Sequence, residues 1–322
     1  MSIYELYKKY GIYILLLCVI AIFGFSTPNF LSFENLMNVI RQVSMFGIVV
    51  VGVTFVMISG GMDLSVGGQM AVNGMIVGIL MVNFGVGIVP ACIIGIIIGT
   101  LMGAVNGLIA VKLNIMPIIV TLGTMLALQG LAFVITKGLP VFGLPEGFAM
   151  LGQGYIGPIP IPVIIFGVVV AIAWFILKKT YFGRYVYAMG GSREAARLAG
   201  INIEKMTYIV YALCGFITSI AALIMLSRTN SAQPGAGASY PFDCMTAAVL
   251  GGISFAGGEG KVGGAVVGVL IIGILNNGLQ LMNVDSNWQG VIKGLVLIAA
   301  VGIDSIQRRE KKAKVSEVAV KA

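Results

Sequence analysis

Residues 87–111 read GIVPACIIGIIIGTLMGAVNGLIAV, with no charged side chain and with Gly95, Gly99, Gly103 and Gly107 recurring every four residues. A four-residue period keeps these glycines on one side of an α-helix. At 1.5 Å per residue such a helix crosses a hydrocarbon layer about 30 Å thick. The glycine stripe then offers a flat face on which a second helix can lie closely in lipid. Working outward, comparable apolar runs occupy 12–27, 44–59, 66–84, 116–136, 159–177, 207–226, 242–256, 262–282 and 290–303. The expected fold is an all-α integral membrane protein of about ten transmembrane helices over residues 1–306, followed by a basic tail, 307–322.

Composition supports this reading. The chain of 322 residues is 58% hydrophobic and only 10% charged, where soluble proteins carry about 25% charged residues. Mean hydropathy is +1.03. A soluble enzyme is thereby excluded. Histidine is absent, and Cys18, Cys92, Cys214 and Cys244 lie far apart, so neither a metal cluster nor a disulfide framework fits. Pro28 and the lack of a small-x-small site after the first run mark a retained span rather than a cleaved leader.

The formal charge of +8 reads as membrane orientation, not nucleic-acid binding. With both termini cytoplasmic, inside segments collect 16 of the 20 Lys and Arg residues and outside segments keep Arg41, Lys137, Arg228 and Lys293. That split obeys the positive-inside rule. The tail beyond Arg308 then lies beside anionic lipid headgroups.

A second glycine stripe, Gly260, Gly264 and Gly268, opens the ninth run. Both stripes are followed by Asn-Gly-Leu, at Asn106 and at Asn277. An offset near 170 residues also brings Gly60–Gly68 over Gly235–Ala238 and the second run over the seventh. Five is an odd number of crossings, so a duplicated five-helix unit inserts upside down. The expected architecture is therefore an inverted repeat with the solute route between its halves.

Asp63, Asp243, Lys293 and Asp304 all fall at ends of runs, leaving no mid-span ionisable group. Proton- or sodium-driven carriers generally use such a group, so a neutral solute and another energy source are favoured. The stretch Gly257–Lys261 is no phosphate loop: Phe255 stands where its first glycine belongs and Val262 follows the lysine. If ATP drives transport, a separate subunit binds it. No cofactor is expected on this chain.

The largest cytoplasmic loop, 178–206, contains a predicted two-turn helix. Ser192 caps it, Glu194 lies in the first turn where the dipole favours an anion, and Gly200 closes it in a left-handed conformation. So short a helix is unstable alone and docks either on a partner or on the chain's own helices; the sequence leaves both open.

The run Glu194-Ala195-Ala196-Arg197-Leu198-Ala199-Gly200 resembles the EAA-x3-G signature of ABC importer permeases. Gly60–Gly67 (GGMDLSVG), with Gly190-Gly191-Ser192 before the EAA run, is similar to segments of ribose-type monosaccharide permeases. The longer signature ends in Ile-x-Leu-Pro, whereas this chain reads Ile209-Val210-Tyr211-Ala212, which departs from the maltose-type subclass. The resemblance implies a fold similar to the vitamin B12 importer permease and a dimer with a second permease copy. It also implies an ABC ATPase subunit gripping Gly191, Ser192, Arg193, Glu194, Ala195, Ala196, Arg197, Leu198 and Gly200, and an extracytoplasmic sugar-binding protein on the other side of a bacterial inner membrane.

For the route, uncharged polar residues within the runs are the candidates: Gln69, Asn73, Asn106, Thr121, Thr124, Gln129, Asn276 and Asn277. Asp63 is expected to accept hydrogen bonds from the backbone of the Gly60–Gly68 break, a hinge or gate. Against an importer subunit for a monosaccharide, ribose foremost, stand another neutral solute of the same family and a stand-alone secondary carrier. An intramembrane enzyme is disfavoured by the lack of histidine and of paired mid-span carboxylates.

Overall fold

The computed structural model describes the backbone of residues 3–321 and the side chains of 11–306. The side chains of Lys8, Lys9 and the basic tail lie outside this set. Each of the ten apolar runs forms a helix: α1 (Ile3–Ser26), α2 (Phe33–Ile58), α3 (Val66–Val82), α4 (Ile88–Lys112), α5 (Pro117–Thr136), α7 (Ile161–Lys179), α10 (Ile203–Thr229), α11 (Tyr240–Leu250), α12 (Val262–Leu281) and α13 (Ser286–Lys321). Between them lie three short helices, α6 (Ala149–Gln153), α8 (Tyr181–Gly191) and α9 (Arg193–Leu198), and four two-residue strands. Strands β1 (Val141–Phe142) and β4 (Ser231–Ala232) pair antiparallel, as do β2 (Tyr155–Ile156) and β3 (Ile159–Pro160).

Seven of these helices are long and apolar enough to cross a membrane, and the apolar part of α1 and all of α3 are shorter, at 10–17 residues. Helix α11, with 11 residues, covers only about 16 Å; it stops at Gly251 and Gly252, the latter with φ +78°, rather than running on to Ala256. Conversely α2 starts at Phe33, well before Ser44, because Ser32 caps it by accepting from the Asn35 amide at 3.3 Å. Elsewhere the stops are side-chain specific. Asn29, Asn114, Lys137, Asn230 and Asn283 each follow a helix with positive φ, a conformation asparagine tolerates best among residues with a Cβ.

Helix α2 is the centre, buried continuously from Val43 to Ile58. Around it α4, α5, α7 and α13 turn apolar side chains outward. On α4, Ile93, Ile97, Leu101 and Leu108 are exposed while the glycines on the opposite face are buried. An apolar belt of this extent suits lipid rather than water.

The glycine stripe of α4 lies against α10. A side chain at Gly103 would strike the Tyr211 carbonyl, one at Gly99 would strike Ser219, and Gly215 opposite meets the backbone of Gly99 and Gly103. The second stripe does the same with α11, Gly264 and Gly268 facing the backbone at Gly251 and Ala247. Three contacts recur in pairs: α4 on α10 and α12 on α2, α3 on α5 and α11 on α13, α3 on α10 and α11 on α2; α7 on α2 and α1 on α12 have no such counterpart. The first turns of α3 and α11 also meet, since a Cβ at Gly67 would strike Gly237 and Pro241.

Helix ends sort into two faces. One holds the end of α2, the loop helices α8 and α9, and the segment after α11, where the Phe255 amide donates to Asp304. The other holds Arg41 beside Tyr155, the α6 contacts to Ser227, and the Asn35–Asn277 pair. Successive long helices alternate between these faces.

Candidate transport and coupling sites

Three places bring functional candidates together. The first is the break between α2 and α3. Asp63, 1% exposed, accepts at Oδ1 from the Ser65 amide at 2.9 Å and from the Ser65 hydroxyl at 2.5 Å. Backbone anchoring of the carboxylate is thus as expected. Ser65 Oγ in turn accepts from Gln69 Nε2 and Asn106 Nδ2, both at 2.7 Å. On the adjoining turn, Tyr211 and Thr121 hydroxyls donate to the Met62 carbonyl at 2.8 and 3.3 Å. Helices α3, α4, α5 and α10 are therefore tied to a segment that cannot make helical hydrogen bonds of its own.

Asn73 donates to the Gly95 carbonyl at 2.6 Å, joining α3 to α4. Asn277 and Asn35 form a reciprocal amide pair at 2.9 and 3.0 Å, joining α12 to α2. Thr121 and Thr124 also bond back to their own helix, and the backbone of Gln129 lies against Gly68. Replacing Asp63 by Ala strands the buried Ser65 amide and hydroxyl; the expected loss is about 1–3 kcal/mol, read as a lower thermal midpoint of the purified protein.

The second place is a cavity of about 490 Å³ between α2, α11, α12 and α13, on the face opposite the loop helices. Asn276 is the one sequence-picked route residue on its wall; Gln42, Asp243, Gln280, Gln289 and Lys293 join it. Lys293 Nζ lies 2.9 Å from Asp243 Oδ2, and Asp243 is buried. The lysine fits the charge the buried carboxylate needs. Sequence reading marked both charges only as ends of spans: nothing local pairs two residues fifty positions apart.

The third place is the loop 178–206. Ser192 Oγ accepts from the Ala195 amide at 3.2 Å and Gly200 has φ +83°, so α9 is capped at both ends as predicted. Ala196 is buried while Leu198 is 85% exposed. The helix therefore docks one residue on its own chain and keeps Arg193, Glu194, Ala195, Arg197 and Leu198 outward. Helix α8 before it was not anticipated. Its signal was present: Thr180 caps Gly183 at 3.2 Å, and Gly183, Val186 and Met189 recur at three-residue steps on the buried side.

Helix α8 ends in a glycine junction. Gly190 lies against the Ile58 carbonyl and the Gly258 backbone, and Gly257 lies against Gly60. The Gly258 amide donates to Ile58 at 2.8 Å, and the Tyr187 hydroxyl donates to the Gly260 carbonyl at 2.8 Å; burial pushes that phenol up from its ordinary pKa. Helix α8 thereby touches both the end of α2 and the α11–α12 segment.

A family model described as branched-chain amino acid transport system / permease component matches residues 35–301. The chain belongs to this permease family. Within it, the chain is similar to the ribose import permease protein of Haemophilus influenzae, 43% identical over 297 residues, covering 91% of this chain and 92% of that one. It is 43% identical over 299 residues to the ribose import permease protein of Bacillus subtilis, covering 92% of each. To the galactose/methyl galactoside import permease protein of Escherichia coli it is 35% identical over 323 residues, covering 95% of this chain and 96% of that one. No solved structure matches. These permeases are transport subunits rather than enzymes.

Proposed function

We propose that this chain is the membrane-spanning subunit of an ATP-driven importer that moves a monosaccharide, ribose foremost, across a bacterial inner membrane. Identity of 43% to ribose permeases across more than nine-tenths of the chain carries the reading. Two permease copies form the membrane core. An ABC ATPase binds the nucleotide, so this chain holds no cofactor, and an extracytoplasmic binding protein delivers the sugar. Both termini are cytoplasmic, on the face of α8 and α9, and the cavity opens to the outside.

The two five-helix sets form an inverted repeat of the vitamin B12 importer type, with paired helix packing in its favour. ATP binding closes the partner on Gly191–Leu198 and Gly200, and the glycine junction passes that movement to the break at Asp63, with Gln69 and Asn106 held to it and Asn73 linking α3 to α4. Asn276 and Asn277 act on the outer half of the route. Coupling requires only that the ATP-bound partner favour one of the two openings.

The galactose relative at 35% supports a second reading with a hexose as solute. Proteoliposomes holding permease, ATPase and binding protein are expected to accumulate D-ribose with ATP and not without it. Accumulation without ATPase or ATP sinks the proposal, and preference for D-galactose moves it to the second reading.

A further inference from the structure

Resting on that reading, we infer that the cavity between α2, α11, α12 and α13 is a transfer subsite that receives the neutral, hydroxyl-rich sugar from outside. Its volume of about 490 Å³ falls within the usual 300–1,000 Å³ of small-molecule sites. Such sites are mostly apolar with a few polar groups; here amides and charged groups predominate, as a solute that offers hydroxyls on every side requires.

The wall supplies both donors and acceptors. Asn276 Oδ1 is buried and has no hydrogen-bond partner, leaving an acceptor that only an incoming donor or water can satisfy. Lys293 carries three N–H donors, and its bond to Asp243 uses one of them. The edge-to-face pair of Phe46 and Tyr240, with ring centroids 5.6 Å apart, adds an aromatic part to the lining.

Charge disfavours an anion. Lys293 is the only cation among the described lining residues and is bound to Asp243; Asp285, exposed, accepts from the Asn287 amide at 2.9 Å. An anion meets two carboxylates against one lysine already paired, whereas a neutral sugar meets no such repulsion.

The test uses the complete importer in proteoliposomes. Asn276→Leu is expected to lower D-ribose accumulation about tenfold, the scale of one lost buried hydrogen bond, with the permease still copurifying with its ATPase. In a Cys18→Ser background, Gln280→Cys is expected to react with an impermeant maleimide more slowly in excess D-ribose or D-galactose than in excess gluconate. Uptake within twofold of wild type in an assembled Asn276→Leu importer overturns the subsite. So does an alkylation rate that neither sugar changes, and this arm alone decides if Asn276→Leu does not assemble. Failure of the wild-type importer to accumulate either sugar overturns the function instead, and leaves the alkylation rate to decide the cavity.

Discussion

Glu194→Lys is expected to reduce ATP-driven sugar uptake by about tenfold or more while the permease still inserts and purifies normally. Six residues are far below the roughly 12–15 that sustain an isolated helix, so α9 persists through its Ser192 cap and the burial of Ala196. Neither anchor involves Glu194. Reversing its charge next to the helix N-terminus removes a dipole contribution of about 0.3–1 kcal/mol, small against the stability of the whole bundle. The effect is instead expected at the face proposed to meet the ATPase, where an exposed carboxylate becomes a cation between Arg193 and Arg197. Uptake and copurification with the ATPase are the readings; normal values for both would refute the coupling role of α9.

The second large effect is expected from Gly190→Ala. The added methyl group has no room, because the atoms it meets are the Ile58 carbonyl and the Gly258 backbone rather than side chains that can turn away. Overpacking of this kind costs about 1–3 kcal/mol, and relief requires α8 to separate from the end of α2. The thermal midpoint of the purified permease should fall, and uptake should fall with it by about tenfold. Gly191, the next residue, faces open space, so Gly191→Ala should leave the midpoint where it is. Equal midpoints for the two variants would remove the glycine junction as a mechanical link.

Most of the helical layout was legible because a bilayer writes its demands locally. Each span needs its own apolar run, and each helix stop its own residue, as at Asn230 or Gly200. The α4 stripe was equally readable, since a four-residue period fixes one face whatever lies opposite. The cap at Ser192 and the anchoring of Asp63 followed from adjacent residues. What escaped was the choice of partner. Asn106 binding Ser65, Asn277 binding Asn35 and Lys293 binding Asp243 join residues 41, 242 and 50 positions apart. Pairings of that range leave no periodic trace in one sequence. Hence several polar residues read as route candidates are found holding helices together, while the cavity emerges only once four helices are assembled.

The contact of α4 with α10 constrains how such a machine can move. Where two backbones touch through Gly99, Gly103 and Gly215, there is no soft layer of side chains to absorb a change of crossing angle. Tilting one rod against the other opens a gap on one flank and a collision on the other. These two helices must therefore travel as a single beam, and a stroke applied at the face of α8 and α9 is carried by that beam to the elements that pivot around it.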